Sequence, residues 1–358
     1  MTHMQHRLNE VRRLMEEKNL PALLITQAEN RRYLSGFTGD AGMLVITPEH
    51  AILSTDFRYW EQAAKQALDF NVYQAKGRMR DYLPGLIEAA DKPSRIAFES
   101  ATVTVAQLEE MQSTLSDVEW IKTNGLIEQA RWVKDADEIA LIQKAIALAE
   151  EGYAYLLKVL KPGMTERAAA WELEVYLRTH GADDLGFDTI IASGPNGAMA
   201  HHEPGERVLR AGEPIIIDWG ARIDGYRSDM TRTIVFGEPD AKFREVYDIV
   251  LRAGMNAINH IRAGMNGKEA DALARDVIVA AGYGEQFGHS LGHGVGLATH
   301  EGPRASFMAE EEKLPVGAVI TIEPGIYLPG WGGVRIEDMV LVKEDGVEVL
   351  SHFSRSPQ

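Results

Sequence analysis

An internal repeat in the C-terminal part of the chain constrains its fold more than any other feature. Leu160-Lys-Pro-Gly-Met-Thr-Glu-Arg-Ala is echoed by Ile261-Arg-Ala-Gly-Met-Asn-Gly-Lys-Glu-Ala. Each stretch leads into an amphipathic segment that ends at a glycine, Gly181 in the first copy and Gly282 in the second. Farther on, Leu209-Arg-Ala-Gly-Glu-Pro-Ile-Ile-Ile-Asp218 is matched by Leu314-Pro-Val-Gly-Ala-Val-Ile-Thr-Ile-Glu323. Each copy then passes through a turn into a second strand-like run bearing another acid, Asp229 or Glu337. Chance could supply one such match, but not an ordered series. The pattern predicts a duplicated helix-plus-hairpin unit, hence a pseudo-two-fold domain with a site between its halves.

At 358 residues the chain has room for a second domain before the repeat. Residues 1–125 mix helical and strand patterns: a helix over 8–18, a strand over 22–25, a hairpin with arms at 43–46 and 51–53, a helix over 57–68 and a strand over 95–98. This reads as an α/β domain without a chemical constellation. The repeat domain is placed at 126–358, its first helix opened by Asp135 as cap with Glu138 three residues on. The fold class expected is therefore α+β, with a smaller α/β domain first. A net charge of −16 argues against nucleic acid as a partner, because phosphate binding needs concentrated Lys and Arg. The absence of cysteine excludes disulfides, thiolate metal sites and cysteine nucleophiles. With no apolar run of membrane length and no signal-like N-terminus, a cytoplasmic protein without membrane association is expected.

The excess of acid has a local expression. Asp218 and Asp229 lie nearly symmetrically about the Ile223-Asp224-Gly225 turn, so they are expected to face each other across an antiparallel ladder. Glu323 and Glu337 are symmetric about Gly330 in the second copy. Singly, each pair reads as surface acids beside a turn. Duplicated, and with Asp218 following three isoleucines, they read as four carboxylates converging on one partly buried spot. Such a cluster must be neutralised by protons, bases or metal. His289, His293 and His300 fall within a glycine-marked stretch, and His201 lies in another, at a position roughly equivalent to His300. Four carboxylates and one neutral imidazole match two divalent cations. Oxygen-rich ligation suits Mn²⁺, with Co²⁺ or Zn²⁺ as alternatives, and two such ions support metal-assisted hydrolysis.

These motifs resemble the pita-bread metallopeptidases, the family of methionine aminopeptidase, aminopeptidase P, prolidase and creatinase. Ile-Asp218-Trp-Gly, Ser-Asp229-Met-Thr-Arg, Gly-His293-Gly-Val-Gly-Leu, Ile-Glu323-Pro-Gly and Val-Arg335-Ile-Glu337-Asp stand in the family order. Residues 1–125 resemble the creatinase-type N-terminal domain through Tyr33-Leu-Ser-Gly-Phe-Thr-Gly-Asp40 and Thr55-Asp-Phe-Arg-Tyr59. The resemblance implies that Asp218 chelates one metal, His293 and Glu323 hold the other, and Asp229 and Glu337 bridge them. It implies His201 near the scissile bond, Glu323 as general base, His289 and His300 around the proline of the substrate, and Arg335 beside the substrate site, orienting neighbouring carboxylates. His202 lies outside the matched positions.

Within the family, the extra N-terminal domain disfavours methionine aminopeptidase, and the intact ligands disfavour creatinase. What remains is cleavage between an N-terminal residue and a following proline in short peptides. Aminopeptidase P is the first expectation and Xaa-Pro dipeptidase (prolidase) the alternative. A non-catalytic peptide-binding module on the same fold is a remoter one, since such modules lose ligands. A homodimer is implied by the resemblance alone.

Overall fold

The computed structural model describes residues 3–357, which fall into two units dividing after Arg131. The first unit alternates helix and strand: α1 (His3–Glu17), β1 (Leu23–Ile25), α2 (Ala28–Ser35), β2 (Met43–Ile46), β3 (Ala51–Thr55), α3 (Trp60–Gln66), β4 (Asn71–Gln74), α4 (Met79–Glu88), β5 (Arg95–Glu99), α5 (Val105–Thr114), β6 (Glu119–Thr123) and α6 (Leu126–Ala130). Its six strands form one mixed sheet in the order β4-β3-β2-β1-β5-β6. Leu24, Val45, Ile52, Ile96 and Phe98 bury one face against Leu83, Leu86 and Ile87 of α4 and Met111 of α5. The expected hairpin is β2–β3, with Met43 opposite Ser54. Helix α6 belongs to this unit, with Leu126 and Ile127 buried, so the division falls a few residues beyond the expected 125/126.

The second unit reproduces the repeat in three dimensions. Its first half contains α7 (Ala136–Val159), α8 (Glu166–Thr179), β7 (Asp184–Leu185), β8 (Ile190–Ser193), β9 (Pro214–Trp219), β10 (Ala221–Ile223), β11 (Tyr226–Arg227) and β12 (Met230–Val235). Its second contains α9 (Ala241–His260), α10 (Gly267–Ala280), β13 (Gly292–Gly294), β14 (Glu301–Ala305), β15 (Val319–Ile322), β16 (Gly325–Leu328), β17 (Gly332–Arg335), β18 (Asp338–Val342) and β19 (Val347–Val349). The strand order β8-β9-β12 in one sheet is matched by β13-β15-β18 in the other.

The repeated sequence makes the same joints twice. Helix α7 begins with the expected capping box: Asp135 accepts from the Asp137 and Glu138 amides, and Glu138 reaches back to the cap. Thr165 caps α8 by accepting from the Ala168 amide, and Asn266 caps α10 by accepting from Glu269. Just before each cap, Gly163 and Gly264 take φ of 90° and 85° and donate to the Leu209 and Leu314 carbonyls, both at 2.9 Å. Those leucines donate back to Met164 and Met265. Hydrophobic burial then fixes the layers. Val246, Val250 and Ala253 of α9 and Ala270, Ala274 and Ile278 of α10 share one core with Ile320, Ile322, Val340 and Val342. In the first half Trp219 is fully buried, stacked on Tyr153 at 4.4 Å, and donates its indole N–H to the Ala149 carbonyl at 2.8 Å. The anchor lies one residue from Asp218. Among the described residues no helix is long and apolar enough to cross a membrane.

The left-handed turn before α10 gives a direct check on the repeat. A Cβ on Gly264 would meet nothing within 4 Å, so the cost of Gly264→Ala is conformational rather than steric. It should amount to about 1–2 kcal/mol and lower Tm by roughly 2–8 °C. Gly163→Ala should behave alike in thermal melts, and a neutral outcome at either position would contradict the joint.

Candidate active site

The site is assembled where the strands break. Glu323 sits between β15 and β16, Glu337 between β17 and β18, and Asp229 between β11 and β12, whereas Asp218 lies within β9. The second pair is placed as expected: Ile322 faces Asp338, so Glu323 and Glu337 follow directly past the end of the ladder. The first pair is not. Thr231 lies opposite Asp218 and Met230 opposite Trp219, so Asp229 falls beyond the ladder and approaches Asp218 only diagonally. The strand-like run expected to carry the second acid of each copy is likewise interrupted there, β11 giving way to β12 around Asp229 and β17 to β18 around Glu337.

Thr231, to which the sequence motif around Asp229 gave no role, is what the offset supplies. The Thr231 hydroxyl donates to Glu337 Oε2 at 2.6 Å and accepts from Arg335 Nε at 3.0 Å. Arg335 is buried, and its remaining nitrogens are also taken. Nη2 donates to Asp218 Oδ2 at 2.6 Å, while Nη1 donates to Tyr327 Oη at 2.8 Å and more weakly to the Ala200 carbonyl at 3.3 Å. Four of its five N–H groups are thus engaged, by two hydroxyls, a carboxylate and a carbonyl, so the guanidinium orients the acids around it while it also lines the site cavity.

The histidines are fixed by their backbones. Gly292 and Gly294 flank His293, and a Cβ on them would fall 2.0 Å from the Thr321 carbonyl oxygen and 2.2 Å from that of Gly302. Only glycine permits this approach. His293 Nδ1 donates to the Gly294 carbonyl at 3.1 Å, which leaves the Nε2 lone pair facing Glu323 Oε1 at 3.4 Å and Asp229 Oδ2 at 3.6 Å. Ligand atoms of Asp229, His293 and Glu337 all lie within 4.8 Å of one another. His300 packs against His293 with ring centroids 4.2 Å apart. His289 Nδ1 donates to the Ser290 carbonyl and Nε2 accepts from Tyr327 Oη, each at 2.8 Å. Both its nitrogens are thus engaged, and it offers a substrate its ring surface. A cavity of about 600 Å³ is lined by all the residues singled out from sequence: His201, Asp218, Asp229, His289, His293, His300, Glu323, Arg335 and Glu337. His202, Glu203 and Arg304 also line it.

Burial, followed by the charges of its neighbours, pushes Asp229 and Glu337 well above the usual carboxylate range. Burial also raises Glu323 to about 8, against the opposing pull of Arg335. His293 is lowered to about 4, chiefly by burial, and is therefore a neutral donor near pH 7. Asp218 Oδ1 is buried without a hydrogen-bond partner. Oxygen donors in excess of the one guanidinium, a correctly directed imidazole nitrogen and an orphaned carboxylate oxygen together fit divalent cations.

The profile of Metallopeptidase family M24 matches residues 140–344, and that of the Creatinase/Prolidase N-terminal domain matches residues 7–133. The chain is 36% identical over 356 residues to the Xaa-Pro dipeptidase of Pyrococcus horikoshii, covering 99% of each. The solved Xaa-Pro dipeptidase from Bacillus anthracis superposes with a TM-score of 0.95 at 39% identity, covering 99% of each chain. X-Pro aminopeptidase from Thermotoga maritima gives a TM-score of 0.88 at 39% identity, covering 96% of this chain and 99% of that one.

These shifts set a pH dependence for the metal-free protein. Acids raised in the folded state bind extra protons there, so their effect is to lower stability as pH rises from about 4.5 to about 8. His289 and His293, both lowered to about 4, act with the opposite sign between pH 4 and 6.5. Above pH 6.5 the carboxylates act alone. The Tm of chelator-treated protein should therefore fall between pH 6.5 and 8, and saturating divalent metal should offset the fall. Metal-free Asp229→Asn should melt no lower than metal-free wild type at pH 8, although the variant should be inactive in peptide hydrolysis. A markedly lower Tm would assign Asp229 to packing instead.

Proposed function

The chain belongs to metallopeptidase family M24, and on that premise we propose that it is a cytoplasmic Xaa-Pro dipeptidase using two divalent metals, with Mn²⁺ the first choice. The convergence of four carboxylates and His293 on one cavity carries the hydrolytic reading. Asp218 would hold one ion, His293 and Glu323 the other, with Asp229 and Glu337 shared. A divalent pair supplies Lewis-acid polarisation of a carbonyl and acidifies water.

The protein's own groups do the rest. Glu323, with Oε1 receiving a hydrogen bond from Thr321 at 3.3 Å, is the group to accept a proton. His201, which lines the cavity, would donate to the oxygen or leaving nitrogen of the scissile bond. The ring faces of His289 and His300 suit a proline ring. Thr231, Tyr327 and Arg335 hold the acids in place from behind.

Dipeptidase is preferred over the aminopeptidase P activity expected from sequence. The dipeptidases of P. horikoshii and B. anthracis align over nearly the whole chain. A dipeptide also needs a cation for its carboxylate; Arg304 lines the cavity together with Arg335, and although its Nε and Nη2 pair with Glu312 Oε1, its Nη1 is left for that role. Aminopeptidase P remains the second reading, favoured by the likeness to the T. maritima enzyme.

With Mn²⁺, Ala-Pro should be cleaved much faster than Ala-Pro-Ala, and the reverse order would reinstate the second reading. Arg304→Ala should raise KM for Ala-Pro by roughly 10- to 100-fold, the range for one lost charge-assisted contact. KM for Ala-Pro-amide should change little. His201→Ala should lower kcat by roughly 10²–10³-fold without loss of metal, and a metal-depleted or fully active variant would exclude its role.

A further inference from the structure

His201 rides on the loop between β8 and β9, and that loop is tied down by one buried carboxylate. Glu166, the first residue of α8, has no solvent exposure. Its Oε1 accepts from the Ser193 amide and hydroxyl, each at 2.8 Å, and from Asn196 Nδ2 at 3.0 Å. Its Oε2 accepts from His202 Nε2 at 2.8 Å, Asn196 Nδ2 at 3.1 Å and the Gly205 amide at 3.3 Å. Every partner lies between residues 193 and 205, on both sides of His201. Burial disfavours the ionised form, yet these donors hold Glu166 below the usual carboxylate range. A carboxylate that only accepts fixes the proton of His202 on Nε2 and locks the residue adjoining His201.

The repeat separates this role from helix architecture. Thr165 already caps α8, so the helix start does not need the Glu166 side chain. The equivalent position in the second half is Gly267, where a Cβ would fall 2.1 Å from the Arg304 carbonyl oxygen and 2.7 Å from Ala309 Cβ. The second half thus brings its histidine-bearing segment against the helix start by backbone packing, and the first half does so through a carboxylate. We propose that Glu166 is a positioning residue for the reaction, fixing the 193–205 loop so that His201 is held at the cavity wall. The proposal rests on the reading of His201 as the residue that serves the scissile bond.

Glu166→Gln tests it, because an amide places an N–H₂ where an oxygen must accept. In the metal-loaded full-length enzyme, kcat on Ala-Pro should fall roughly 10- to 100-fold, the scale of a 1 Å misplacement. KM should move less than about threefold and metal content should stay constant. Amide hydrogen exchange should rise over 193–205 and not elsewhere. In a His201→Ala background the same substitution should cost less than about twofold, since its effect runs through a side chain no longer present. His202→Asn and Asn196→Ala remove single arms from the loop side, and should show smaller losses with the same non-additivity if Glu166→Gln fails to fold. Full additivity with an impaired His201→Ala, or unchanged exchange in the loop, would overturn the positioning role alone. A fully active His201→Ala would instead remove the premise, and the proposal with it.

Discussion

Four carboxylates in one buried site repel one another, and the architecture of the second unit follows from having to hold them there. In water their mutual energy would be screened, but burial strengthens it and removes the solvation that lets acids ionise. Arg335 is the single guanidinium set among them, and it comes from the second half to pair with Asp218 of the first. That cross-half ion pair leaves the remaining negative charge for cations. The site is thus costly for the metal-free fold and suited to cations, two sides of one electrostatic fact.

Three of the four acids, all but Asp218, lie where regular strands give way. A strand directs successive side chains to opposite faces, so acids adjoining a ladder point with its pleat. Breaking β11–β12, β15–β16 and β17–β18 at the acids frees them from that alternation. The cost of interrupted pairing is offset by short side-chain bridges. Thr231 serves Glu337 and Arg335, while the Thr321 hydroxyl donates to Glu323 and accepts from the His293 amide at 3.1 Å. Tyr327 links Arg335 to His289. Around these polar links stand fully buried isoleucines and Trp219, each contributing about 2–3 kcal/mol of apolar burial.

Sequence patterns revealed the features that local chemistry repeats. The glycine turns, helix caps and acid-bearing hairpins recur in both halves, and all nine residues singled out line one cavity. Register was not legible, because symmetry about a turn does not disclose where a strand breaks, and Asp229 consequently sits past the ladder. The anchoring of Arg335 depends on Thr231 and Asp218, which are distant in sequence. In the first unit, β4 and β6 escaped because edge strands carry exposed polar residues that blur alternation. Helix α2 escaped because its Asn30 and Arg31 are buried despite their polarity. Arg31 donates to the carbonyls of Thr26, Gly39 and Gly42, none of which a helical period foretells.

The two halves show how far duplication constrains a site. Equivalent positions keep the type of group, with Asp218 matched by Glu323 and Asp229 by Glu337, because the cavity-lining acids depend on the shared hairpin. They diverge where the halves meet other demands. Beside Glu323, the strand β13 comes close enough, through glycines, to present an imidazole. Beside Asp218, the equivalent strand β8 presents Ile190, and a guanidinium from the opposite half takes the polar role. One half thus brings in a neutral nitrogen donor and the other a fixed positive charge. A symmetric fold becomes an asymmetric site in this way, with one carboxylate held by Arg335 and another lying beside a histidine.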